Sequence, residues 1–314
     1  MSVLFTFPGQ GAQVPDMLRS LPDHSEVARA LDAAEATLGL DPLTLDSSEA
    51  LQSTRAVQLC LLIAGVAMAR VLTAQHRRPD MTAGFSIGAF PAAVISGALA
   101  FEDALALVDQ RGRLMESSFP RGYGMAAVIG LDRFQLAPLI AEVHSADSPL
   151  YLANINGERQ LVVAGAEAAI RRLTVRALEL GATRVEPLAV SVPSHTPLMK
   201  PAAGAMRVAF SRVELRAPQM TLLSSSAARG LFDPSRIAED LATNMAVPVQ
   251  WFDTVRLAWE RGARLAVEMP SGSVLTRLTQ PSFSDGLAVS CDDTRLETLV
   301  ALMAKEQESI ATQD

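Results

Sequence analysis

Met81-Thr82-Ala83-Gly84-Phe85-Ser86-Ile87-Gly88, running straight into Ala89-Phe90-Pro91-Ala92-Ala93-Val94-Ile95, sets the architecture of the chain. A short apolar run predicts a strand, and Ala89 to Ile95 has the texture of a helix. Between them stands G-x-S-x-G, the pattern of a nucleophile elbow. A strand-to-helix turn this tight leaves no room for flanking side chains, which the two glycines supply. It would present the Ser86 hydroxyl at the start of a helix, where the next backbone N–H and the positive helix end face any oxyanion that forms. The same letters also fit an ordinary glycine-rich turn in which Ser86 only caps the helix.

Upstream, Val3 to Phe7 reads as a strand ending at Pro8-Gly9-Gln10-Gly11. Val27 to Leu38 has helical spacing, and Val57 to Ala74 is apolar on nearly every face, predicting a helix covered on all sides. The longest apolar segment, Leu59 to Ala69, is shorter than the ~20 residues a bilayer span needs. His76 to Asp80 reads as a loop. Downstream, Phe101 to Met115 predicts an amphipathic helix with Glu102 and Asp103 in its first turn.

After Gly122 the texture changes. Met125 to Ile129, Leu150 to Ala153, Gln160 to Val163 and Arg184 to Val190 are short β-like runs, with helical stretches at Phe134 to Val143 and Ala166 to Leu180. This β-α-β-β-α-β order predicts a ferredoxin-like α+β unit. Helix and strand then alternate again through Pro197 to Phe210, Met220 to Ser224, Pro234 to Asn244, Trp251 to Arg261 and Leu265 to Glu268. The expected fold is α/β: a large α/β-hydrolase-like catalytic domain with a parallel sheet (residues 1–123 and 193–314) carrying a small inserted ferredoxin-like subdomain (124–192).

Among the 314 residues, 49% are hydrophobic and 19% charged, the balance of a globular chain with a full core. A net charge of −7 gives no electrostatic reason to seek nucleic acid or anionic lipid. Of the 27 basic residues only Lys200 and Lys305 are lysines, a bias of composition rather than a phosphate-binding design. Two cysteines, Cys60 and Cys291, make neither a disulfide framework nor a zinc cluster, so no metal is expected. The N-terminus lacks the basic region of a secretory signal. The expectation is a cytoplasmic protein with no membrane partner.

A serine nucleophile needs a base. Of four histidines, His24 lies near the start of a helix, and His76 and His144 lie in polar loops. His195, in Val190-Ser191-Val192-Pro193-Ser194-His195-Thr196-Pro197, follows an apolar run and is bracketed by prolines, which would fix its imidazole. A satisfied histidine at a strand end fits the same letters. Arg111 stands 25 residues after Ser86 among Leu107, Val108 and Leu114. Its guanidinium fork could hold a carboxylate, although the spacing alone also fits a solvated surface arginine.

Taken together, these segments resemble the malonyl-CoA:acyl-carrier-protein transacylases and polyketide acyltransferase domains. Phe7-Pro8-Gly9-Gln10-Gly11-Ala12-Gln13 is similar to their F-P-G-Q-G-x-Q, and Ser86 stands in their G-x-S-x-G. Gln110-Arg111-Gly112, Pro193-Ser194-His195, Leu198-Met199-Lys200-Pro201, Asn154-x-Asn156, Val162-Val163-Ala164-Gly165 and Pro248-Val249-Gln250-Trp251 follow in the family's order, from Phe7 to about Leu278. The resemblance implies a ping-pong transfer with no bound cofactor: Ser86 as nucleophile, His195 as base, and the N–H groups of Gln10 and Ile87 as oxyanion hole. Arg111 would bind the malonyl carboxylate, with Gln58, Gln250 and Asn156 also binding substrate. The imidazole would be oriented by a backbone carbonyl near Gln250 rather than by an acid. Malonyl-CoA is the implied donor, and the thiol of a carrier protein's CoA-derived prosthetic group the acceptor.

Phe85 and Ala89 depart from the family's G-H-S-x-G-E, and Met269-Pro270-Ser271-Gly272 from its V-G-P-G. These departures set the chain at the periphery of the fatty-acid synthesis members, and Asn156-Gly157-Glu158-Arg159-Gln160 with Glu268-Met269-Pro270 makes it most similar to the transacylase (epsilon) subunit of malonate decarboxylase, which implies that complex's other subunits as partners. A transacylase of fatty-acid or polyketide synthesis is the alternative. A serine esterase shares the elbow but gains nothing from a buried cation, and a non-catalytic carrier-binding scaffold would not need Ser86 and His195.

Overall fold

A computed structural model describes residues 2–119, 121–190 and 192–311. Ser191, inside the histidine segment, lies outside the described residues.

The elbow strand β2 (Met81–Gly84) pairs in parallel with β1 (Ser2–Phe7), so that Phe7 and Gly84 end level. Beyond β1 lie β9 (Ala263–Glu268) and β10 (Leu287–Ser290), both parallel; beyond β2 lies β7 (Thr221–Ser224), also parallel, with the antiparallel β8 (Arg229–Leu231) at the edge. The order is β10-β9-β1-β2-β7-β8. Its inner strands are buried along almost their whole length, as expected of a parallel sheet covered on both faces.

Helix α2 (Thr54–Ala74) is the central core helix. Ser53 caps it by accepting from the Ala56 N–H, and nearly every side chain is buried. At 21 residues it is longer than its apolar segment, because Thr54 to Gln58 and Arg70 to Ala74 continue the same helix. It is long and apolar enough to span a membrane, but 89% of its most apolar window is packed inside the protein. Helix α4 (Phe101–Ser118) lies across it at Gly112, where an added Cβ would stand 2.5 Å from the Arg55 Cα.

The small sheet contains β3 (Tyr123–Ile129), β4 (Leu150–Gly157), β5 (Gln160–Ala166) and β6 (Arg184–Pro187), all antiparallel in the order β4-β5-β3-β6. Helices α5 (Arg133–Val143) and α6 (Glu167–Glu179) complete the β-α-β-β-α-β unit, which has a separate apolar core around Val128, Leu136, Leu161 and Leu173. Strand β6 stops at Pro187 instead of continuing to Val190: Pro187 has no N–H for the ladder, and Val190 N–H turns back to the Leu188 carbonyl at 2.8 Å. The free edge of β4 joins the large body, with Ile155 N–H donating to the Val249 carbonyl and Val249 N–H to that of Ala153, both at 2.8 Å.

Candidate active site

The elbow forms because its two glycines let three backbones meet. A Cβ on Gly84 would lie 2.0 Å from the Gly88 carbonyl carbon, and one on Gly88 would lie 2.1 Å from the Phe7 carbonyl oxygen. Ser86, partly exposed, occupies the left-handed region at φ 57°, a strained conformation for a residue with a side chain. It opens the short turn Ser86–Gly88 that feeds α3 (Ala89–Ile95). Ile87 therefore sits in a first turn, where N–H groups have no partner within the helix. The Gln10 loop abuts this turn: a Cβ on Gly9 would lie 2.8 Å from the Phe85 carbonyl oxygen. The Gln10 side chain donates to Thr54 Oγ1 at 3.4 Å. Gln10 and Ile87 thus lie on touching loops at one end of the sheet.

His195 is 109 residues away in sequence, yet its Nε2 is 2.8 Å from Ser86 Oγ. Nδ1 faces the carbonyl oxygens of Asn244 at 2.8 Å and Val247 at 3.2 Å. Two acceptors there require the proton on Nδ1 and leave the Nε2 lone pair toward the hydroxyl. The residue does not end a strand. It is buried in a loop at φ 63°, fixed by its own N–H donating to the Met245 carbonyl at 2.7 Å. Burial, and then the charge of Arg111, push the imidazole pKa down to about 4, with the two carbonyls opposing. A neutral imidazole bonded to a hydroxyl can take its proton as Oγ attacks an electrophile.

Arg111 is fully buried, not a solvated surface residue. Nη1 donates to Gln58 Oε1 at 2.6 Å; Nη2 donates to Asn244 Oδ1 at 3.3 Å and to Ser86 Oγ at 3.4 Å. Gln58 is steadied by Met115 Sδ at 3.3 Å. Buried Nε has no partner, and among the described residues no carboxylate pairs with this guanidinium. Burial lowers its pKa to about 9, leaving it charged at neutral pH.

Gln250 immediately precedes α9 (Trp251–Glu260), and its N–H donates to the Ser225 carbonyl at 2.6 Å. The Ser225 hydroxyl in turn donates to the Gly84 carbonyl at 2.7 Å, tying Gln250 to the elbow through the backbone. Asn156 is buried with its Oδ1 unpartnered; no described hydrogen bond joins it to Ser86, His195 or Arg111, and it lines a cavity of about 600 Å³ with Phe252, Arg256 and Trp259. Asn244 joins the site without any local sequence pattern to mark it. Besides its carbonyl on His195, its Nδ2 donates to the Ser86 carbonyl at 3.2 Å. Among the described residues, no group of three or more His, Cys, Asp or Glu could hold a metal ion.

A profile of the acyl transferase domain matches residues 4–313. The chain belongs to the acyl transferase domain family. This acyltransferase is 35% identical over 294 residues to the malonyl CoA-acyl carrier protein transacylase of Haemophilus influenzae, covering 91% of this chain and 94% of that one. It superposes on the acyl-carrier-protein S-malonyltransferase of Burkholderia pseudomallei with a TM-score of 0.91 at 34% identity, over 96% of this chain and 100% of that one. A malonyl-transacylase solved in complex with a type II polyketide acyl-carrier protein is equally similar, with a TM-score of 0.91, 32% identity and coverage of 97% and 100%.

Proposed function

We propose that this acyltransferase moves the malonyl group from malonyl-CoA to the thiol of an acyl carrier protein's prosthetic group. The observation that carries this reading is the buried, un-neutralised Arg111 at 3.4 Å from Ser86 Oγ. Removing a guanidinium from water costs several kcal/mol. A neutral ester would leave that cost unrecovered, whereas the free carboxylate of malonyl supplies the missing partner.

In this reading Ser86 Oγ attacks the thioester carbonyl carbon while its proton passes to His195 Nε2. The Gln10 and Ile87 N–H groups hold the tetrahedral oxyanion; one such donor is worth ~10²–10³ in rate. The C–S bond then breaks, and the imidazolium returns its proton to the leaving CoA sulfur, so that a malonyl-serine ester remains. The carrier thiol attacks this ester by the reverse sequence, giving its proton to His195 and releasing Ser86. Gln58 steadies the guanidinium, and Gln250 lines the pocket from the start of α9.

The relatives named above are carrier-protein transacylases, which supports the fatty-acid or polyketide type over the decarboxylase subunit. Asn156-Gly157-Glu158-Arg159-Gln160 and Glu268-Met269-Pro270 are the sequence segments that favour the decarboxylase setting. The two carriers separate the readings: an acyl carrier protein of fatty-acid synthesis should accept malonyl faster than the decarboxylase's carrier does. The primary test is peptide mass spectrometry after mixing with malonyl-CoA. A malonyl adduct should appear on the peptide containing Ser86 and vanish in Ser86→Ala. An adduct that survives the substitution would refute the assignment.

A further inference from the structure

Asn244 is 2% exposed and meets three components of the site at once. Its main-chain carbonyl holds His195, its Oδ1 accepts from Arg111, and its Nδ2 donates to the Ser86 carbonyl. Only one orientation of the amide works. Turned over, it would set NH₂ against a guanidinium and a carbonyl against a carbonyl. All the side-chain oxygens that aim Arg111 are neutral: the amides of Gln58 and Asn244 and the hydroxyl of Ser86. They fix the direction of the fork without cancelling its charge.

We propose that the Asn244 side chain is a specificity-determining positioning residue, a neutral acceptor that aims the Arg111 guanidinium beside the nucleophile while leaving its charge for a carboxylate carried by the acyl group. The proposal rests on the malonyl-transfer reading above and deepens it. An aspartate here would reach the same Nη2, form the ion pair within the protein, and set a second negative charge against the incoming carboxylate. The amide therefore decides whether this site prefers an acyl group with a terminal carboxylate or one without.

The test is Asn244→Asp, which keeps the main-chain carbonyl on His195. We measure single-turnover acylation with malonyl-CoA and acetyl-CoA across pH. The ratio of kcat/KM for malonyl-CoA to that for acetyl-CoA should fall by about 10²-fold, chiefly through a higher KM for malonyl-CoA, because one partner of a buried ion pair has been taken. The acidic limb of the acetyl-CoA profile should also rise. Arg111, the charged group that depresses His195, is now neutralised. A purely structural defect moves neither the ratio nor the limb. Should the aspartate variant not fold, Asn244→Ala takes its place, with a larger KM increase for malonyl-CoA than for acetyl-CoA. A ratio within threefold of wild type in the folded variant overturns the proposal. If the wild-type protein itself shows no preference for malonyl-CoA, the functional reading fails instead.

Discussion

Arg111 has a charge but, among the described residues, no counter-charge, and its removal separates selectivity from catalysis. Arg111→Ala should lose ~10²–10⁴ in kcat/KM for malonyl-CoA relative to acetyl-CoA, from the ~3–5 kcal/mol of a broken buried pair. Lysine should rescue it partly, since a point charge cannot make two parallel bonds. The acidic limb should rise with Arg111→Ala but stop short of an ordinary histidine, because burial is the larger cause of the low His195 pKa. An equal fall for both thioesters would make Arg111 a packing residue. Ser86 and His195 stand in local patterns with their own physical logic, whereas the spacing of Arg111 fits a surface arginine as well and only the family resemblance gives it a role. Asn244 stands in no such pattern. Its partners are 49, 133 and 158 residues away in sequence, and only the tertiary approach of the His195 loop, α4 and the elbow gives it a role.

The Arg111–Gln58 contact is made by two helices, and Gly112 is what lets them close. In an exposed helix Ala is better than Gly by ~1 kcal/mol. At Gly112 the added methyl would lie 2.5 Å from the Arg55 Cα, so overpacking of ~1–3 kcal/mol opposes that gain. Gly112→Ala should lower Tm and raise KM for malonyl-CoA, as α4 moves off α2 and carries Arg111 away from Gln58. A variant with raised Tm and unchanged KM would show that the helices do not need the glycine. Long periodic elements such as α2 and α4 were readable to within a few residues. Among the short strands, β2 and β7 are readable from their apolar runs, whereas β8, three residues at the sheet edge, and β10, four, carry no such signal. Strand β6 was overread because Leu188 to Val190 is apolar enough for a strand but turns back on itself.

At the scale of the whole molecule, the buried His195 and the half-buried Asp240 bend the pH dependence of stability in opposite directions. His195 has its pKa lowered from 6.5 to about 4, so its contribution is complete above 6.5 and lost as pH falls through 4. Asp240, on helix α8 (Pro234–Thr243) and bonded by the Ser224 hydroxyl at 2.6 Å, has its pKa raised by burial from 3.8 to about 6. Its contribution is complete below 3.8 and lost as pH rises through 6. Each displacement is about two pH units, or ~3 kcal/mol, and between pH 6 and 4 the two act in opposite directions. Asp240→Asn removes one arm while keeping an oxygen for Ser224. The variant should therefore be more stable than wild type at pH 7.5, and the advantage should shrink toward zero by pH 4. Urea unfolding of both proteins at the two pH values measures this, and comparing them cancels every other titrating group, Glu268 included. A variant less stable than wild type at pH 7.5, by the same margin at pH 4, would mean that the Asp240 carboxylate is stabilised in place, with Arg229 outweighing its desolvation.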